Sequence, residues 1–258
     1  MMSIYPTLTN KTYVVMGIAN KRSIAWAIAK TLDEAGAKLV LTYAAERFKA
    51  GLESLAAELK GEALLLECDV TNDEAIDTTF RSIHEQAGEI QGIAHSIAFA
   101  DKEALRGEFS EMTRGQFAQA LDISAYSLTA VVKAAKPYFA QDASVITLTY
   151  LGGERVVPNY NLMGVAKAAL DSSVKYLANE YGPHGVRVNA ISAGPIRTLS
   201  AKGVGDFNSI LAELEQKAPL RRNVSAEEVA STGLFLLSSM GSGVTGEVIH
   251  VDSGYHIL

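Results

Sequence analysis

Sulfur and metal chemistry are both poorly provided for in this chain. A single cysteine, Cys68, stands among 258 residues, which excludes an internal disulfide framework and any multi-cysteine metal site. The histidines, at 84, 95, 184, 250 and 256, are scattered without metal-ligand spacing, so no bound metal is expected. Positive charge is short too: the formal net charge of −6 gives no electrostatic reason to expect nucleic acid as a partner. No apolar run reaches the roughly 18 residues that read as a membrane span. The opening MMSIYPTLTN lacks a basic region followed by an apolar stretch and does not read as a signal peptide, so a cytoplasmic protein is expected. Repeats, low-complexity tracts and Pro/Ser-rich linkers are missing as well. What remains is 48% hydrophobic and long enough for one large core, so 1–258 is expected to form a single domain.

Short apolar, β-branched runs alternate with helical patterns. Strands are expected at 12–16, 38–43, 63–67, 91–97, 143–150, 185–191 and 247–251, most of them apolar on both faces as buried parallel strands are. Helices are expected at 23–35, 46–59, 73–87, 113–139, 160–181 and 225–239. Thr71 or Asn72 can open the third, and Ser225 with Glu228 forms a capping box at the last. Gly36, Gly61, Gly88 and Gly182 stand where helices should stop. The alternation implies an α/β fold, a Rossmann-like doubly wound parallel sheet of about seven strands flanked by helices. Ligands bind such sheets at the carboxyl ends of the strands.

Four loops at that end have the right chemistry for a dinucleotide. After the first strand, Gly17 allows a tight turn, and Ser23 and Ile24 begin a helix whose free N–H groups suit a pyrophosphate. It is not a G-x-G-x-x-G loop, since Ala19 and Ser23 stand where further glycines would be. After the third strand, Asp69 can accept from an adenine amino group and the Val70 backbone can serve the ring nitrogen. Ser96 and Ile97 follow the fourth strand in HSIAFA, among small residues that permit close approach. SAGPIRTLSAKG follows the sixth, where the Ile196 backbone can meet a carboxamide. Each loop alone also reads as an ordinary turn; their gathering at one end of one sheet favours the nucleotide.

The remaining signal is TLTYLGGERVVPNYNLMGVAK, residues 147–167, with Tyr150, Tyr160 and Lys167. Seven residues are almost two helical turns, so Tyr160 and Lys167 share a face. Together with MGIANKRSIAWAIA, CDVTND, HSIAFA, DISAYSLTAV, DFNSIL and HVDSG, this segment resembles the short-chain dehydrogenase/reductases. Within them it is most similar to the divergent bacterial enoyl-[acyl-carrier-protein] reductases of type II fatty acid synthesis. The likeness spans essentially the whole chain, and Tyr-x6-Lys is its most specific element. Carbonyl-reducing members use Tyr-x3-Lys, and here Gly164 stands four after Tyr160; their upstream serine is missing too, with Thr147 and Thr149 near its place.

The resemblance implies NAD(P)H-dependent reduction of the trans-2 double bond of an enoyl thioester. Tyr160 is the expected donor to the thioester oxygen, Lys167 the ligand of the nicotinamide ribose, and Tyr150 a substrate contact. Ala100 would lie beside the thioester, and Thr198, Leu199 and Ser200 would join Ile196 in the cofactor loop. Ala44 and Ala45 leave the end of the second strand without cations, and Glu46 would repel a 2′-phosphate, so NADH is expected over NADPH, although Arg47 and Lys49 lie near. A lid is expected over 197–215, with Phe207, Ile210, Leu211 and Leu214 at helical spacing; the same residues could simply cap the core. The implied partner is an acyl carrier protein, met by Arg197, Lys202, Arg221 or Arg222, and the implied assembly is a homotetramer. Two rivals remain: a carbonyl reductase of the same superfamily, and a dinucleotide-binding protein without catalysis.

Overall fold

The computed structural model describes residues 8–198 and 207–258. Its seven strands are β1 Thr12–Met16, β2 Lys38–Tyr43, β3 Ala63–Glu67, β4 Ile90–His95, β5 Phe139–Thr149, β6 Arg187–Ala193 and β7 Val248–Val251. They pair in parallel in the order β3-β2-β1-β4-β5-β6-β7. From β1 the sheet grows outward through β2 and β3; the chain then returns to lay β4 on the other side of β1. The topological switch point therefore lies between β1 and β4.

Each central strand feeds both faces, because successive side chains point to opposite sides. Val14 and Met16 join one buried cluster, with Ile76, Phe80 and Ile83 of α3 (Asp73–Ala87), Val131 of α5 (Ser127–Ala135) and Leu170 and Val174 of α6 (Asn161–Tyr181). Tyr13 and Val15 join the other, with Trp26, Ile28 and Leu32 of α1 (Ile24–Glu34) and Val229 and Leu236 of α8 (Ala226–Leu237). The shorter α2 (Lys49–Ala56), α4 (Arg114–Leu121) and α7 (Phe207–Lys217) complete the helical layers. No helix among the described residues is long and apolar enough to cross a membrane.

Capping follows the sequence closely. The Asn72 side chain accepts from Ala75 N, and Ser225 and Glu228 bond reciprocally at the start of α8. Thr113 and Gln116 form a second capping box, opening α4. Three helix expectations change. The segment 46–59 opens as a 3₁₀ turn, Glu46–Phe48, and α2 ends at Ala56, well short of Gly61. Gly182 leads on into another 3₁₀ turn, and the reversal falls at Gly185, φ 75°. The long helix at 113–139 is broken by a π-helical turn, Asp122–Tyr126, and ends at Ala135. A tertiary bond accounts for the π turn: Ser124 Oγ accepts from Phe99 N and donates to Phe99 O, both at 2.9 Å. A regular helix would carry that hydroxyl elsewhere.

At the switch point the two loops touch through their backbones. A Cβ on Gly17 would lie 1.9 Å from Ser96 O, and Gly17 has φ +88°. Gly17→Ala therefore meets both a steric and a conformational penalty. We expect it to lower the unfolding free energy by about 2 kcal/mol or more in urea titration; wild-type stability would contradict the contact.

Candidate active site

The cofactor half of the site is built from strand ends. Ser23 Oγ accepts from Ala19 N and Asn20 N, both at 3.0 Å, and so shapes the β1–α1 loop itself. The N–H groups of Ile24 and Ala25 then open α1 with no intrahelical partner, and no acidic residue lies in its first turn. That end of α1 suits a pyrophosphate, and Gly17 lets the β1 loop lie directly against the backbone of Ser96 and Ile97. Asp69, exposed beyond β3, accepts at Oδ1 from Thr71 N and Oγ1 at 3.0 and 2.7 Å, which orients its carboxylate; Val70 is buried behind it. Ser96 N donates to Met16 O, joining the β4 loop to β1, and Ile97 packs on the core. Ile196 is half-buried after β6, and Thr198 N donates to Ile196 O at 2.7 Å. Leu199 and Ser200 lie outside the described residues. The four strand-end loops thus fit a dinucleotide laid across the carboxyl edge.

At the end of β2 the cations are engaged. Lys49 pairs with Glu46 at 3.4 Å, and Arg47 stacks over Phe48 at 4.8 Å. Next to them Ala44 and Ala45 offer no charge.

The reactive half centres on Tyr160 and Lys167. Tyr160 precedes α6 directly, between Asn159 and Asn161, both with positive φ (64° and 38°). Asparagine tolerates that region better than most residues, so N-Y-N is a local device for presenting a ring. The ring meets that of Tyr150 edge-on, 4.9 Å between centroids. Burial raises both phenol pKa values, that of Tyr150 to about 12. Lys167, 5% exposed, points inward and donates to Leu148 O at 2.7 Å. Burial lowers its pKa to about 8, opposed by the negative charge of Asp171.

Glycines let this packing close. The turn Leu151–Gly153 crosses α6 so tightly that a Cβ on Gly152 would stand 2.3 Å from Tyr160 Cδ1, and one on Gly164 would stand 2.7 Å from Gly152 O. The position four residues after Tyr160 therefore has no room for a lysine. Farther along the loop, Glu154 bonds His250 at 2.7 Å, and Arg155 donates to the carbonyls of Leu258 and Tyr255. β7 and the C-terminal turn thus anchor the loop that carries both tyrosines.

Three contributors escape the sequence. His95, fully buried at the end of β4, contacts Thr147 Oγ1 (3.1 Å) and Ser127 Oγ (2.9 Å). Burial, with the Lys167 charge, pushes its pKa down to about 3, so its ring is neutral and ties β4 to β5 and α5. Ser124 holds the loop bearing Ala100 through Phe99, and Ala100 packs beside Ala104, Ala120 and Leu162. Asp171 lies behind Lys167. A scattered histidine, a helix serine and a carboxylate four after a lysine are all commonplace in sequence, so nothing local marks them.

Of the expected lid, 199–206 lies outside the described residues. Helix α7 forms as its spacing suggests, with Leu211 and Leu214 buried and Phe207 and Ile210 half-buried. A cleft between α7 and the loop after β6 is lined by Ile196, Arg197, Leu211 and Asn223. The exposed cations proposed to meet a carrier are committed locally: Arg197 to Asn208 (2.6 Å), Arg221 to the Gln216 and Lys217 carbonyls, and Arg222 to Glu228. Lys202 is outside the described residues.

A doubly wound parallel sheet with a buried lysine and a tyrosine over the end of β5 defines a dinucleotide-dependent reductase of the short-chain type. Residues 17–256 match the model of a narrower family, described as enoyl-(acyl carrier protein) reductase. The chain is 61% identical over 252 residues to enoyl-[acyl-carrier-protein] reductase [NADH] FabI of Bacillus cereus, covering 97% of this chain and 98% of that one. It is 58% identical to the [NADPH] FabI of Staphylococcus aureus, with the same coverage. A crystal structure of the Bacillus cereus enzyme with NADP+ and indole naphthyridinone superimposes with a TM-score of 0.96 at 61% identity, over 98% of this chain and 99% of that one. The chain belongs to the enoyl-[acyl-carrier-protein] reductase family.

The glycine packing is open to test. Gly164→Ala must push the Leu151–Gly153 turn away from α6, and with it both tyrosines. We expect a loss of about 1–3 kcal/mol in stability and a fall in turnover larger than any change in cofactor affinity. Full activity in this variant would show that the turn can move without disturbing Tyr160.

Proposed function

We propose that this protein reduces the trans-2 double bond of an enoyl group carried as a thioester on acyl carrier protein, with NADH as reductant. The observation that carries this reading is Gly164 pressed on the Gly152 carbonyl. It leaves Lys167, seven after Tyr160, as the partner lysine and excludes the shorter spacing of carbonyl reducers. When bound, the dinucleotide supplies hydride to the β-carbon of the enoyl group. The chain's own part is to hold, orient and donate. Tyr160, its phenol kept protonated by burial, donates its O–H to the thioester oxygen, where negative charge grows as the double bond is reduced. Tyr150 braces that ring from the side, and its own phenol also stays protonated. Lys167 donates to the nicotinamide ribose hydroxyls with the N–H groups that Leu148 O does not take. Gly17, Ser23, Ile24, Asp69, Val70, Ser96, Ile97, Ile196 and Thr198, with Leu199 and Ser200, hold the dinucleotide; Ala100 lines the acyl side. Segment 197–215 closes over the acyl chain.

NADH is favoured by the neutral Ala44 and Ala45 and by the pairing of Lys49 with Glu46. The name of the Bacillus cereus relative agrees, whereas the Staphylococcus aureus relative carries NADPH in its name. A homotetramer is supported by exposed aromatic residues, Phe117 on α4, Tyr126 in the π turn and Tyr176 on α6 among them. The setting proposed is the cytoplasm.

The deciding assay follows cofactor oxidation with a crotonyl thioester and with an acetoacetyl thioester, each with NADH and with NADPH. Turnover of the crotonyl thioester with NADH is expected, with little on acetoacetyl. The opposite preference would restore the carbonyl reductase, and NADH binding without turnover of either would point to a silent binding protein. Ala44→Arg with Ala45→Lys should move kcat/KM toward NADPH.

Two variants separate the roles of the pair. Lys167→Ala should weaken NADH binding about tenfold or more, because a charged hydrogen bond is lost from a buried site. Tyr160→Phe should bind NADH as wild type does and lose about a hundredfold in turnover. Unchanged NADH affinity in the lysine variant would refute its ribose contact.

A further inference from the structure

Asp171 sits one turn beyond Lys167 on the same face of α6. Its carboxyl packs against the backbone of Gly153, where a Cβ would come within 2.8 Å of Oδ2. Oδ1 is sealed from solvent without a hydrogen-bond partner among the described residues, and so is Oγ1 of Thr149 at the end of β5. Burial raises the Asp171 pKa, while the Thr149 hydroxyl beside it lowers it. A carboxyl oxygen sealed inside beside the reactive pair, with only the Thr149 hydroxyl near it, calls for an explanation.

We infer that Asp171 is the counter-charge of the site: it keeps Lys167 an ammonium, so that the lysine remains a proton donor at working pH, and reinforces the protonated phenol that burial already gives Tyr160. The inference rests on the donor roles proposed above. Lys167 has no carboxylate at ion-pair distance among the described residues, and its bonded partner, Leu148 O, is uncharged. The groups gathered near it are the neutral His95 ring from β4, the phenols of Tyr150 and Tyr160 from the loop, and Asp171 from α6. Around Asp171 itself stand Glu154, engaged by His250, and the exposed Lys175. Asp171 alone among these favours the charged lysine. The same negative charge adds to burial and to Tyr150 in raising the Tyr160 pKa. Both effects put a proton where one has to be donated. Distance matters here: a carboxylate in contact with Nζ would occupy the N–H groups meant for the ribose. One turn behind, it stabilises the charge and leaves those donors free.

The sign follows. Lys167, depressed to about 8, is charged below that pH and loses its proton above it. NADH affinity should therefore fall as pH rises through about 8, and removing Asp171 should move the fall to lower pH. The experiment titrates NADH affinity against pH by fluorescence in wild type, Asp171→Asn and Asp171→Glu. In parallel, the ¹³Cε signal of Lys167, identified with Lys167→Arg, is titrated without cofactor. Expected is a midpoint lowered by at least about half a pH unit in Asp171→Asn, in both measurements, and largely restored in Asp171→Glu. Asp171→Ser takes the place of the asparagine variant should that one not fold. A wild-type midpoint for Lys167 in the neutral variant overturns the inference. A wild-type NADH profile that is flat, with normal binding by Lys167→Ala, overturns the ribose contact instead, and the cofactor-free titration still decides the role of Asp171.

Discussion

The burial of the Lys167 ammonium is the constraint around which this site is arranged. A charge withdrawn from water needs partners, and its first is the carbonyl of Leu148 at 2.7 Å. That bond draws α6 down onto the end of β5. Once the helix lies there, the chain leaving β5 has almost no space, and it crosses at Gly152 and Gly153 against Gly164. The two tyrosine rings then meet because the turn between them is so tight. Glycines that look like loop punctuation in the sequence are thus consequences of one buried lysine.

The same end of the sheet carries the rest. Strand order reverses between β1 and β4, and there the loops after both strands approach each other. Gly17 rests on Ser96. One residue earlier, His95 turns inward and joins β4 to β5 and to the helix after the π turn. Ser124, within that turn, holds Phe99. The loops after β1 and β4, the π turn and the start of α5 are therefore parts of one hydrogen-bonded unit.

Energetically the unit runs against local preference. It includes a π turn, a left-handed asparagine on either side of Tyr160, and buried oxygens on Thr149 and Asp171 that the hydrogen bonds among the described residues leave out. Such departures gather at functional sites when the surroundings over-determine them. Here the surroundings are the two apolar layers on either side of the sheet, with His250 of β7 gripping Glu154 and the C-terminal turn gripping Arg155.

Much of the fold was legible in the sequence. The strands, the α3 boundaries, the caps at Asn72 and Ser225, and the helix carrying Leu211 and Leu214 all rest on periodicity and short-range bonding, which neighbouring residues determine among themselves. So does the placement of Tyr160 and Lys167 two turns apart at the start of α6, since spacing along a helix is local geometry. The break of the 113–139 helix at Asp122–Tyr126, the early end of α2, and the parts played by His95, Ser124 and Asp171 were decided by tertiary structure alone. Each depends on a group brought from another element: Phe99 against Ser124, Thr147 and Ser127 against His95, Gly153 and Thr149 against Asp171. Such contacts exist only after parallel pairing has set β4, β5 and α6 side by side, and no window of sequence contains both partners.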